Sequence, residues 1–174
     1  MKTRLNTKKI ERLLIRSTNW IGDAIMTTPA VRAIRENFPQ AEISLLAKPW
    51  VAPVFENSAH VDNIIIYKAG GRHGGLWGKV RLARDLRRYH FDAAILLQNA
   101  FEAALITFLA GIPIRIGFNT DARTLLLTHS VPRKPEIRKV HETRYYLEIL
   151  RGVGFTPRGA DLYLEAGRED REHA

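Results

Sequence analysis

Five short apolar runs, separated by turns and by stretches with helical spacing, constrain this chain most. They lie at residues 13–15, 43–47, 63–67, 92–97 and 112–118. Each has the length of a strand, and they do not alternate polar with apolar residues as a half-exposed sheet would. Continuous apolar strands joined through helices predict a parallel sheet covered on both faces, an α/β fold of doubly wound, Rossmann-like, mostly parallel type. The 174 residues and 45% hydrophobic content suffice for one ordinary domain with a real core.

The first run leads into Arg16, Ser17, Thr18, Asn19, Trp20, Ile21, Gly22 and Asp23, where strand gives way to helix. Open α/β sheets bind ligands outside the carboxyl ends of their strands, so Asp23 is the leading catalytic candidate. Asp is also a preferred N-cap, and position alone favours the cap. Apolar residues then recur every three or four positions to Phe38, with Pro29 inside the register. Proline there predicts a kink, or a restart with Thr28 as cap and Pro29 as first residue, leaving the turn after Asp23 irregular.

The Gly70–Gly75 loop lacks dinucleotide-fingerprint spacing and reads as a mobile surface loop with a solvated His73. A helix over 76–89 is expected to bury Leu76, Val80, Ala83 and Leu86, with Arg81, Arg84, Asp85 and Arg88 on another stripe. That stripe reads as a solvated face or as a landing surface for phosphates. Gln98 and Asn99 follow the fourth run, where amides suit a hydroxyl-rich ligand or tie down their own loop. Residues 131–139 read as a basic connection, followed by a helix over 141–152 in which His141 caps or lies on the surface. Residues 156–174 read as a linker or tail after a domain spanning 1–155.

The 27 Lys and Arg against 18 Asp and Glu, a net charge of +9, suggest an anionic partner. Nucleic acid, an acidic membrane surface and a phosphorylated ligand all satisfy that charge, but no recognised nucleic-acid motif accompanies it. A non-enzymatic basic module binding nucleic acid or acidic lipid is the alternative reading. The chain has no cysteine, hence neither disulfides nor thiolate metal sites, which fits a reducing compartment. No export signal or membrane span is read, and the cytoplasm is the expected location.

Four blocks carry a family resemblance: Ser17 to Asp23 with Thr27-Thr28-Pro29; Leu97-Gln98-Asn99-Ala100-Phe101-Glu102-Ala103-Ala104; Phe108-Leu109-Ala110-Gly111-Ile112-Pro113; and Arg115-Ile116-Gly117. In this order they resemble the amino-terminal half of the ADP-heptose:lipopolysaccharide heptosyltransferases, type II more than type I, over residues 11 to 155. The resemblance implies half of a two-domain GT-B glycosyltransferase of inverting mechanism, with no cofactor or metal. It implies transfer of heptose from ADP-L-glycero-D-manno-heptose to the heptosyl-Kdo-lipid A inner core, with peripheral contact at the inner membrane and no nucleic-acid partner. A related glycosyltransferase with another acceptor is the rival within the fold. By the same resemblance Asp23 is the general base and Gly22 admits the sugar. Asn19, Trp20, Gln98 and Asn99 become acceptor contacts, and Arg72, Arg81 and Arg84 partners for Kdo carboxylates or lipid A phosphates. The family's donor-side Asp-Ser-Gly and Met-His motifs are absent from these residues, so the donor is expected to bind mainly through a further domain and the isolated chain to be inactive.

Overall fold

The computed structural model describes residues 5, 7–137 and 141–164. The charged run at 168–173 and the end of the basic connection lie outside these. Six strands form one sheet: β1 (Arg12–Arg16), β2 (Glu42–Ala47), β3 (Asn63–Ile66), β4 (Ala93–Leu96), β5 (Ile114–Phe118) and β6 (His129–Val131). Their order is β3-β2-β1-β4-β5-β6, and every neighbouring pair is parallel. The doubly wound expectation therefore holds, with a sixth strand the sequence did not disclose. At three residues, with Val131 its one apolar side chain, β6 is too short for a periodic signal and exists through pairing with Ile116–Phe118.

The helices are α1 (Ile21–Met26), α2 (Thr28–Asn37), α3 (Gly75–Arg87), α4 (Phe101–Leu109) and α5 (Glu142–Gly152). Strand side chains alternate between two cores. Leu13, Ile15, Ile43, Leu45 and Ile95 pack with α2 and α5 residues such as Val31, Ile34, Leu147 and Leu150. Leu14, Leu46, Ala94 and Leu96 face the other way, onto Leu82, Leu86, Ala104 and Ile106 of α3 and α4. A sheet covered on both faces has no polar side to expose, which explains the unbroken apolar runs.

Three local expectations are corrected. The helix break after Asp23 comes one residue early: Thr27 is the cap, Thr28 is first and Pro29 second. Proline is tolerated there because N–H groups of the first turn lack helical partners in any case. The turn bearing Asp23 is regular helix, with Ala24 N–H bonded to the Trp20 carbonyl at 2.9 Å. Leu76 is not core but 66% exposed, because α3 begins beyond the covered edge of the sheet and its packing starts at Gly78 and Leu82. A Cβ at Gly78 would sit 2.2 Å from the His73 carbonyl carbon, so the glycine lets helix and preceding loop touch. Beyond α5, Phe155 packs on Phe38, and the Tyr163 N–H reaches the Thr28 hydroxyl at 3.1 Å, placing residues 156–164 back along α2.

Candidate active site at the carboxyl edge of the sheet

The strand order reverses between β1 and β4; β1 ends in Arg16, and Gln98 and Asn99 follow β4 after Leu97. Leu97 and Gln98 N–H groups share the Arg16 carbonyl, at 3.0 and 3.3 Å, so the loop after β4 stays beside the loop after β1. The structure thereby brings Asn19, Gln98 and Asn99 to the same carboxyl edge of the sheet, at the topological switch point where open α/β sheets bind ligands.

Asp23 is the third residue of α1, half-buried, and it is not a cap: the cap position is Trp20, which makes no side-chain capping bond. The competing N-cap explanation thus fails. Among the described residues the Asp23 carboxylate has no hydrogen-bond or ion-pair partner. Its charge reaches Tyr146, whose phenol is pushed up by burial first and then by Asp23. Next to it, a Cβ at Gly22 would meet nothing within 4 Å, so the protein's own packing does not require glycine there. Trp20 is exposed on the same turn.

The amides behave differently from one another. Arg123 is fully buried and donates to the Phe118 carbonyl at 2.8 Å, the Gln98 carbonyl at 2.5 Å and Asn99 Oδ1 at 3.1 Å. A guanidinium only donates, so Asn99 Oδ1 is the acceptor and its amide nitrogen is left to donate to the Tyr145 hydroxyl at 2.7 Å. Asn99 therefore ties down its own loop. Asn19 Oδ1 accepts from Arg16 at 2.8 Å, and the Asn19 carbonyl accepts from the Trp50 indole at 2.8 Å. The Gln98 side chain has no hydrogen-bond partner among the described residues.

Arg72, Arg81 and Arg84 lie with α3, on the sheet face opposite α1. Arg72 makes a forked contact to Asp85, closest at 2.9 Å, and Arg81 donates to the Arg72 carbonyl at 3.2 Å. Arg84 is exposed. His73 is not solvated but buried. Its Nδ1 accepts from the Lys68 N–H at 3.2 Å and its Nε2 lies 3.5 Å from Asp85. The glycine-rich loop around it is held by turns from Gly71 and His73 N–H groups to the Lys68 carbonyl. Burial lowers the His73 pKa against the opposing pull of Asp85. For Asp85, burial pushes upward, but bonds from Arg72 and His73 outweigh it and hold the carboxyl low.

Sequence reasoning missed the side chains behind the edge. Arg16 and Lys48 both lie against the Tyr67 ring, at 5.2 and 3.9 Å from its centroid, and the Tyr67 hydroxyl donates to Glu102. Glu102 also pairs with Lys79 at 3.1 Å. Burial lowers the Arg16 pKa to about 10 and raises that of Tyr67. The available signal was Arg16 itself, a charge directly after the apolar run Leu13–Ile15.

A parallel sheet in this order with helices on both faces is a Rossmann-like domain, the architecture of each half of a GT-B glycosyltransferase. The sequence matches glycosyltransferase family 9 (heptosyltransferase) over residues 79–171, and the chain belongs to that family. It is 33% identical over 118 residues to lipopolysaccharide heptosyltransferase 2 of Escherichia coli K12, covering 67% of this chain and 33% of that protein. The chain thus spans about a third of the length of the curated relatives it matches. In fold it is similar to a family 9 glycosyl transferase from Veillonella parvula, with TM-score 0.85 and 21% identity, covering 99% of this chain and 49% of that one. E. coli ADP-heptose LPS heptosyltransferase II gives TM-score 0.74 at 24% identity, covering 93% and 49%.

Proposed function

We propose that this chain forms the acceptor side of an inverting transfer of heptose from ADP-L-glycero-D-manno-heptose to the heptosyl-Kdo-lipid A inner core of lipopolysaccharide. Inversion in one displacement requires an acceptor hydroxyl to attack the anomeric carbon on the face opposite the departing diphosphate. The hydroxyl loses its proton as the new C–O bond forms, and the ADP leaves with the electrons of the old one. A carboxylate within hydrogen-bond reach takes that proton. Asp23 is assigned this role. The observation that carries the assignment is an unpartnered carboxylate on the first turn of α1, beside a glycine that nothing in the protein demands.

Asn19 and Trp20 are assigned to the acceptor, and Gln98 presents a free amide at the same edge of the sheet. Asn99 acts through its hold on the 98–99 loop. The sugar nucleotide is assigned mainly to a further domain, and this chain by itself is expected not to turn over. The reading includes a cytoplasmic location with peripheral contact at the membrane that carries the acceptor. No helix among the described residues is long and apolar enough to cross a membrane.

The test pairs the chain with the carboxyl-terminal half of a family 9 heptosyltransferase and follows ADP release. Asp23→Asn keeps the shape but removes the proton acceptor, and turnover is expected to fall by about 100-fold or more while acceptor binding persists. Turnover within a factor of two of the unsubstituted pair would show that another group takes the proton.

A further inference from the structure

Two buried cations at the carboxyl edge lack an anion. Arg16 ends β1 and is 2% exposed, and Lys48 directly follows β2 and is 8% exposed. Both project onto the α3–α4 face, where Tyr67 holds them: the guanidinium carbon lies 5.2 Å and the ammonium 3.9 Å from the ring centroid. Arg16 donates to the Ser17 carbonyl at 2.5 Å and to Asn19 Oδ1 at 2.8 Å, both neutral acceptors, while its Nε has no partner. Neither cation pairs with a carboxylate among the described residues. Glu102 acts on both through its charge, but its oxygens are taken by the Tyr67 hydroxyl and Lys79. Alongside, Ser17 Oγ and Thr18 Oγ1 are buried without partners.

Desolvating two neighbouring cations against one shared carboxylate opposes folding, and an aromatic face returns only part of the loss. Burial lowers the Lys48 pKa, and the Arg16 charge lowers it further. The arrangement has the form of a preorganised oxyanion receptor: a donor fork with a free N–H, an ammonium fixed over a ring, and unused hydroxyls. Its outer wall is Trp50, which is more than half exposed, lies 6.0 Å from the Lys48 ammonium and is tied to the Asn19 carbonyl.

We propose that Arg16 and Lys48 bind an oxyanion carried by the acceptor glycan, at the ends of β1 and β2 on the sheet face opposite the helix bearing Asp23. The group is a sugar-acid carboxylate or a sugar-linked phosphate, since both present two or more acceptor oxygens to a guanidinium fork and an ammonium. The proposal rests on the acceptor-side reading above. It assigns the anion contact to these residues rather than to Arg72, which Asp85 already satisfies.

The experiment follows thermal unfolding of the purified chain against rising Kdo monosaccharide, and separately inorganic phosphate, at constant ionic strength. A ligand bound by the native state raises the melting temperature saturably. Saturation at lower Kdo than phosphate identifies the carboxylate, and the reverse identifies the phosphate. Lys48→Met should weaken the response about tenfold or more, through loss of a charge-assisted contact, while Lys134→Gln leaves it unchanged. Arg16→Met should abolish the response yet melt no lower than the unsubstituted chain without anion, which a merely structural arginine would not do. The proposal is overturned by no saturable response to either anion, by an equal response in Lys48→Met, or by Arg16→Met that melts lower and keeps the response. Binding here requires neither donor nor Asp23. The anion response is therefore read separately from heptose transfer: a normal response in a pair whose Asp23→Asn variant turns over normally would retire the base assignment and leave this site standing.

Discussion

At position 73 an imidazole that sequence reads as solvated is fixed through both nitrogens, Nδ1 accepting from Lys68 and Nε2 facing Asp85. Its pKa is lowered in the folded state, chiefly by burial. The unfolded chain then binds the proton more tightly, so stability rises with pH across the window below about 6.5. The His73 contribution is complete above that value and is lost as pH falls through it towards the depressed folded pKa. Asp85 does not confuse the window, because its lowered pKa confines its losses to below the ordinary carboxylate value of 3.8. His129 shares the direction of His73, so the difference between the chain and His73→Asn isolates one group. Asn preserves an acceptor for Lys68 N–H and cannot titrate. The gap in melting temperature between the two should narrow from pH 7.5 to pH 5, and a constant gap would mean that His73 protonates without cost. Asp23 was legible in the sequence because its place depends on a local strand-to-helix junction. His73, Arg123 and the Arg16–Tyr67–Lys48 group were not, because their partners lie across strands or helices whose register no single segment encodes.

Elements were legible where the apolar period was long, and blurred where pairing or capping decided. Strands β1 to β5 and helices α1 to α5 fall near their expected places, whereas β6 needed β5 to reveal it and the α1–α2 boundary moved by one residue to Thr27. On α3, exposure carries more than periodicity. Trp77 is 80% exposed, and Arg81, Arg84 and Arg88 follow it at offsets of four, seven and eleven residues. At about 100° per residue these four side chains fall within roughly 60° of one another. An indole leading a row of guanidinium groups suits an anionic lipid surface, where each basic side chain contributes about 1 kcal/mol. The chain should float with phosphatidylglycerol vesicles and not with phosphatidylcholine vesicles. Trp77→Ala with Arg84→Gln should reduce that binding about tenfold, and raised salt should reduce it further. Equal flotation with neutral vesicles, or no change in the double variant, would remove α3 from the membrane contact.

For the whole molecule, the decisive relation is between a core covered on both faces and the proposed reaction, which needs two reactants held together. The six strands are covered on both faces, and residues 156–164 return along α2, so the apolar surface of the sheet is satisfied within the chain. Such a unit is expected to unfold in one cooperative transition, with urea and heat reporting the same event. On the proposed reading transfer has a further requirement: a donor must be held with its anomeric carbon in line with a hydroxyl beside Asp23, and that reading assigns the donor mainly to a further domain. On the same reading the net charge of +9 favours an anionic acceptor at this half but does nothing to place the sugar nucleotide. The chain alone should therefore fold, bind acceptor and release no ADP beyond background. Adding the carboxyl-terminal half of a family 9 enzyme should restore release in proportion to the concentration of that half until it saturates. Near-normal transfer by the chain alone would place the donor site within these residues. Cooperative folding without restored transfer at any concentration would show that the two halves must be joined, because a linker supplies the effective concentration that free association lacks.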